Sequence, residues 1–449
     1  MSVNLASIGI TGIFAAEAEI ATAESNISNA SNPNYSVESV NLQADAGANG
    51  AGAGVQVLGT TRGQAPYLNT QINSTQSSDN YNQAFSQAST VAQQILAPAS
   101  GNDLSASLQN MFNAFTNLSV SPQNTTLRSS AIAALSQFAQ ADQNLSSGLT
   151  ATANGQMSQV TTLIAQVNQA SSQIAQLNQQ IVAANASGQG GAALEDQRDG
   201  LINQLAGLIG ASADAQGNVS VGGVPLVSGS SALTLSSVGS GASLGLQVAL
   251  SNGDLPINSA QLGGTLGGVL SAIGSISQLQ SEVNGLAASV ATVMNTQASS
   301  GYGLDGSTGT ALFTVGANGP IAINASLTVQ NLGASATAGG VPGDGSNATA
   351  LAAIANNQSL FASMPGSTPV QAFSAISGNF GALVENANNS QQQASASLQS
   401  LSQLKGSITG VSLNDQLTQL IQYQNVLEAS GRAVQAANDI TTFLVQNLN

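Results

Sequence analysis

The chain has no histidine, no cysteine and no tryptophan among its 449 residues. The first two absences remove most zinc sites and the Ser-His and Cys-His nucleophile systems. They also leave no disulfide framework, which neither requires nor excludes an oxidising compartment. Only five residues are basic: Arg62, Arg128, Arg198, Lys405 and Arg432. They are scattered, and 20 acidic residues bring the net charge to −15. Phosphate neutralisation needs clustered Lys or Arg, so no nucleic-acid partner is expected, and an anionic membrane surface is disfavoured for the same reason. No unbroken apolar run approaches the roughly 18 residues of a membrane-spanning helix. Residues 1 to 16 contain an apolar stretch, but no Lys or Arg precedes it and Glu17 and Glu19 follow. That is not the pattern of a conventional signal peptide.

Charged residues make up 6% of the chain, against roughly a quarter in a typical soluble domain. Asn, Gln, Ser and Thr stand in their place, which suits dense packing against copies of the same surface. Hydrophobic residues reach 42% while aromatics are 3%, so the apolar content is mostly Ala, Leu, Ile and Val. Thin helical layers use such a composition better than one large core does.

Helical periodicity runs over 6–29, 70–96, 104–118, 127–148, 154–184, 192–208, 268–298, 348–357, 369–386 and 388–405, with Pro98 and Pro122 between elements. Strand patterns occupy the stretch after Tyr35 and Val55 to Thr61, around a Gly-rich loop at 46–54. They return at 218–227 about a Gly-Gly turn, at 232–235 and 244–250, and near 321–330. The expected architecture is mainly α, elongated and multidomain, with β lobes inserted into a helical-bundle body. Four parts are expected: 1–62 with 406–449 as a terminal coiled-coil unit with a β-hairpin; 63–209, 263–300 and 347–405 as the helical body; 210–262 as an inserted β domain; and 301–346 as a Gly-rich insertion.

Few residues invite a chemical reading. Ser402 and Lys405 spell Ser-x-x-Lys without the accompanying elements of a serine acyltransferase. Glu195, Asp196 and Asp199 form the densest acidic group, and beside Arg198 they read as a solvated helix face. Asp305-Gly306 and Gly343-Asp344-Gly345 lack the spaced ligands of a calcium loop and read as turns. The 46–54 loop lacks the Gly-Lys-Ser/Thr of a phosphate loop. No catalytic residue, metal ligand or cofactor is expected, and an enzyme is not.

The two ends carry the clearest pattern. Ile13, Ala16, Ile20, Ala23, Ile27 and Ala30 alternate steps of three and four. So do Leu413, Leu417, Leu420, Gln424, Leu427, Gly431, Val434, Asn438, Thr441, Val445 and Leu448. These are heptad seams, and they predict that the termini pair as a coiled coil. The C-terminal seam is interrupted by polar residues and Gly, which suits a helix packed against several neighbours.

Between the first seam and the first strand, Ser25-Asn26-Ile27-Ser28-Asn29-Ala30-Ser31-Asn32-Pro33-Asn34-Tyr35-Ser36 resembles the Asn-Asn-Ile-Ala-Asn-x-x-Thr-Pro-Gly-Tyr-Ser signature of flagellar axial proteins. The matching residues are Asn26, Asn29, Pro33, Tyr35 and Ser36. Asn34 stands where Gly is usual, and Val37 where Arg is frequent. Val411 to Leu417 and Leu420-Ile421-Gln422-Tyr423-Gln424 resemble the closing helix of that superfamily. Leu177 to Ile181 with Asp196-Gln197-Arg198-Asp199, and Gly263 to Leu270 with Gly301 to Gly306, resemble the hook-associated protein 1 family within it.

The resemblance implies a non-enzymatic structural adaptor, exported through the flagellar type III apparatus from the cytoplasm and residing at the junction of hook and filament. It implies a homo-oligomeric ring with terminal helices lining the axial channel. It also implies hook protein and a second junction protein as neighbours, and a cytoplasmic export chaperone at the C-terminal region. The alternatives are another axial protein, of flagellin or hook type, and a secreted Gly/Ser-rich adhesin.

Overall fold

A computed structural model describes residues 2–46, 52–97, 103–187, 190–239, 243–250, 253–316 and 319–447. Most of the expected Gly-rich loop at 46–54 lies outside these residues, as does Leu448. The fold is mainly helical, with small antiparallel sheets.

Helix α1 (Ser2–Ser28) leads into a hairpin of β1 (Glu38–Asp45) and β2 (Gly54–Arg62). Pro66 occupies the first turn of α2 (Pro66–Leu96), where its missing N–H costs nothing. Asp103 caps α3 (Leu104–Val120) through its side chain, which accepts from Ala106 N–H at 2.7 Å. Asn124 caps α4 in the same way.

Helix α4 (Thr125–Ala186) is 62 residues long, roughly 90 Å at 1.5 Å per residue. The sequence predicts two helices here, broken at 149–153. One continuous helix forms because the segment holds no Pro, and an isolated Gly such as Gly148 or Gly155 costs only about 1 kcal/mol against Ala. The same correction applies to α8 (Pro369–Thr409), expected as two helices and found as one, started by a Thr368–Gln371 capping box.

Between them lie α5 (Ala192–Ile209), α6 (Gly264–Ser299) and α7 (Ser346–Ala353). The chain closes with α9 (Leu413–Asn447). Gly210 ends α5 with φ +73°, the left-handed turn that a Cβ would strain.

After α5 come two small sheets. One has the order β3 (Ser212–Ala213), β4 (Val219–Val221), β5 (Val224–Ser228), β6 (Ser231–Ala232); the other has β7 (Thr234–Val238), β8 (Gly245–Ala249), β9 (Leu255–Ile257). Gly222 and Gly223 both take positive φ in the β4–β5 turn, as a two-residue hairpin requires. The expected strand pair within 321–330 is different: β11 (Ala322–Ile323) pairs upstream with β10 (Phe313–Thr314). Asn324 and Asn331 then tie 324–331 into turns through their side chains.

Two large apolar clusters fill the body. One joins α3, the first half of α4, the second half of α6, α7 and the start of α8, around Phe115, Phe138, Met294 and Phe373. Phe138 and Phe313 meet edge to face, with centroids 5.8 Å apart. The other joins the second half of α4, α5 and the start of α6 to β4, β5, β7, β8 and β9. The strands of 210–262 therefore share their core with the helices. Asn168 adds polar contacts to the same seam, exchanging two hydrogen bonds with the backbone of Leu235.

One composition-based expectation changes. Leu5–Ser28 within α1 is long and apolar enough to cross a membrane by length and composition, with mean hydropathy 1.3. Ala and Ile raise the average over a stretch that Glu17, Glu19 and Glu24 interrupt. Only 17% of its most apolar 18-residue window is buried, and what is buried packs on α9 and the hairpin.

Candidate assembly site

The terminal helices α1 and α9 pack together in antiparallel fashion. Gly9 lies against Ser430 and Val434, and Gly12 against Ser430. Asn26 Nδ2 donates to Gln416 Oε1 at 2.9 Å. Burial pushes the Glu19 carboxyl up from its ordinary value, and burial also raises the Tyr423 hydroxyl, which feels the Glu19 charge. On α1 the contact line is Gly9, Gly12, Ala16, Glu19, Ala23 and Asn26. On α9 it is Gln416, Leu420, Tyr423, Leu427, Ser430, Val434 and Ala437, and its two buried members are Gln416 and Ala437. Glycines on α1 let the helix axes approach closely. A Cβ on Gly9 would come within 2.7 Å of Val434 Cγ2 and 3.1 Å of Ser430 O.

This line differs from the predicted seams by a rotation. Leu420, Leu427 and Val434 face α1 as half-buried side chains. Leu417, with Gln424 and Asn438, lies on the exposed side. Leu413 shares the line of Leu420 but lies beyond the end of α1 and is 50% exposed. Val445 is likewise exposed, past the other end. On α1, Ala16 and Ala23 are buried, while Ile13, Ile20 and Ile27 are half-buried at the flank. The heptad spacing is real, but a pattern with polar residues on every line does not tell Leu417–Gln424–Gly431 from Gln416–Tyr423–Ser430.

The outer faces remain apolar. Leu5, Ile8, Ile10 and Phe14 on α1, and Ile421, Ile440, Phe443 and Leu444 on α9, are exposed in the single chain. The hairpin covers only one flank of α1, where Val55 N–H donates to Thr11 Oγ1.

The signature stretch is the knot of this unit. Asn26 is buried and uses all four of its hydrogen-bonding positions. Its Nδ2 donates to Glu38 O and Gln416 Oε1, and its Oδ1 accepts from Glu38 N–H and Tyr35 O–H, all between 2.8 and 2.9 Å. Tyr35 also meets Ser25 Oγ. Asn29, just past the end of α1, donates from Nδ2 back to Ser25 O in its last turn. Pro33 and Asn34 form an exposed turn in which Asn34 N–H donates to Asn32 Oδ1. Among the described residues no non-Gly residue has positive φ, so Asn34 serves without the conformational freedom of Gly. Val37 N–H donates to Thr409 O at 2.8 Å, a backbone contact that asks nothing of its side chain.

The acidic group expected on a solvated helix face is instead partly buried against Arg62. Arg62 reaches Glu195, Asp196 and Asp199 at 2.8 Å each, with its side chain 10% exposed. Burial opposes its charge, the carboxylates outweigh that, and its pKa is raised. Asp196 Oδ2 also accepts from Ser36 N–H at 3.1 Å. Burial, and then the Asp196 charge, raise the Glu38 carboxyl nearby. Arg198 points the other way, to Asn178 Oδ1 and Gln216 O. The sequence hid this arrangement because Arg62 and residues 195–199 are far apart in the chain.

Beside the signature turn opens a cleft of about 670 Å³, bounded by the turn, α2, α5 and the end of α8. Ser402 and Lys405 line it, with no hydrogen bond joining them among the described residues. Asp305 is engaged in its own turn, accepting from Ser307. Among the described residues no group of three His, Cys, Asp or Glu side chains could hold a metal ion.

No curated protein matches the sequence. Among solved structures, the flagellar hook junction protein FlgK from Burkholderia pseudomallei has a similar fold. Its TM-score is 0.64 at 16% identity, covering 77% of this chain and all of that one. The sequence profile of the flagellar hook-associated protein FlgK helical domain matches residues 89–313, the stretch that builds most of both apolar clusters. Because that match spans half of the chain, it shows family and not fold alone: the chain belongs to the FlgK family of flagellar hook-associated proteins.

Proposed function

We propose that the protein is a structural adaptor that assembles into a ring joining hook to filament. Its α1–α9 pair packs against the same pair in neighbouring copies. The observation that carries this reading is the uncovered apolar surface of that pair. Phe14 and Ile421 are each 61% exposed and Phe443 is 65% exposed, in a chain otherwise rich in polar surface. Burying an apolar side chain contributes roughly 1.5–3 kcal/mol, and a ring repeats the contact in every copy. The junction is heterologous, one face of each copy meeting a different face of the next. Hook protein lies on one side of the ring and a second junction protein on the other. The chain travels from the cytoplasm through the type III export apparatus, escorted by a chaperone at its C-terminal region. It needs no cofactor, catalyses no reaction and engages neither membrane nor nucleic acid.

The test is an outer-face variant, Ile421→Asp with Phe443→Asp. These side chains lie off the α1 contact line, so the monomer should keep its melting behaviour. Cells carrying the variant should build hooks without filaments and shed flagellin. A pull-down of the cytoplasmic pool separates failed assembly from lost chaperone binding. Normal filaments would remove the outer face as an assembly surface.

A further inference from the structure

The terminal unit (α1, the hairpin and α9) meets the body through polar contacts. Among the described residues, none of 1–62 or 410–449 belongs to an apolar cluster of the body. Two short connections, 63–65 and 410–412, cross the boundary. They are pinned at one place, where Val37 N–H donates to Thr409 O and Gly63 N–H donates to Val37 O, both at 2.8 Å. On one side of this pivot stands Arg62 with Glu195, Asp196 and Asp199. On another opens the cleft of about 670 Å³, between the turn around Pro33 and Asn34 and the body residues Asn73, Asn203 and Lys405.

We propose that the Arg62 tripod is a latch that fixes the angle of the terminal unit on the body, and that the cleft is the room into which the unit swings when the latch opens. Units joined without a large apolar interface move relative to each other by default, and a few residues at element ends absorb the rotation. Here one guanidinium makes three ion pairs across the boundary, beside single hydrogen bonds from Ser36 N–H to Asp196 and from Val37 N–H to Thr409 O. Glu195 and Asp199 keep side-chain exposures of 24% and 28%, so high salt screens these two pairs, while the Asp196 pair, at 8%, is screened much less. A Lys at 62 would carry the charge but not the fork that meets three carboxylates at once. In the adaptor reading, such a latch lets each copy meet two lattices at different angles. The latch itself is a property of the single chain and stands without the ring.

The native chain has no cysteine, so Gln140→Cys and Gln435→Cys place dyes on the body and on α9, both away from the latch. Single-molecule energy transfer on the full-length monomer then reads the distance between the units. The expected result is a narrow distribution at 50 mM salt that at least doubles in width at 1 M. Arg62→Gln should be broad at both salt levels, with Arg62→Lys between. Circular dichroism melts report whether the body of each variant is intact. If a variant does not fold, the salt series on the Arg62 protein decides alone. A distribution equally narrow at both salt levels, or unchanged in a folded Arg62→Gln protein, overturns the latch.

Discussion

Asn26 and Gln416 stand 390 positions apart in the chain and share a buried hydrogen bond of 2.9 Å. Through it the end of α1 holds the start of α9. The same Asn26 side chain holds Glu38 and Tyr35. Asn26→Ala leaves the buried Gln416 amide oxygen without its Asn26 donor, at roughly 1–3 kcal/mol, and removes the part-buried contacts to Glu38 and Tyr35. Hydrogen exchange should show the first turns of α9 losing protection by on the order of a hundredfold, while α4 and α6 stay protected. Unchanged exchange at α9 would mean that Gln416 is held by something else.

Gly9 tests the closeness of the helix pair. Gly9→Ala places a Cβ against Val434 and the Ser430 carbonyl, and should loosen α1 from α9 by about 1–3 kcal/mol. Val434→Ala removes one of the clashing groups, so the double variant should recover part of that loss. The coupling is read from a thermodynamic cycle on helix protection. Additive losses would show that the two residues do not touch.

Asp142 gives a pH dependence. It is fully buried in α4, one carboxylate oxygen accepts from Ile321 N–H at 2.8 Å, and the other has no partner. Burial raises its pKa from 3.8 to about 6, with the Ile321 N–H opposing. The folded state therefore holds the proton more tightly than the unfolded one. The contribution to stability is greatest below pH 4, declines as pH rises to about 6, and is flat beyond. Asp142→Asn should abolish that slope and raise stability at pH 7.5 by up to about 3 kcal/mol. Melting temperatures between pH 4 and pH 8 check it; parallel curves for the two proteins would count against it.

Removing 211–261 behind a short Gly-Ser linker tests whether the strands stand apart. Val160, Val167 and Ile174 of α4 and Leu205 and Ile209 of α5 share the strands' core. Deletion should uncover them at roughly 1.5–3 kcal/mol for each side chain left exposed. The truncated protein should melt much lower or collect in inclusion bodies. A melt equal to that of the full chain would show that the helices need no strands.

Most helices were legible from period and punctuation. Pro98 and Pro122 separate them in the sequence, while the starts of α2 at Pro66 and α4 at Thr125 lie a few residues earlier than the apolar period suggests. The two long helices were not read whole, because Gly148, Gly155 and Asn388 look like breaks until neighbouring helices supply the packing that carries α4 and α8 through them. At the candidate site, the signature residues announced that Asn26 and Tyr35 matter, but not that Asn26 holds α9. Along α9 the leucine spacing favours Leu417, Gln424 and Asn438, whereas the contact falls one position earlier, on Gln416, Tyr423 and Ala437, because an amide that pairs with Asn26 leaves no apolar signal in the sequence. Arg62 carried no local signal at all; its meaning is a pairing with α5.

Assembly of the terminal helices by their outer faces, as proposed for the hook–filament junction, can be seen by cryo-electron microscopy of native junctions. The expected density is a ring of this chain in which Phe14, Ile421 and Phe443 are covered by neighbouring copies and the Asn26–Gln416 contact is kept. A junction in which those side chains face solvent, or from which this chain is absent, would contradict it.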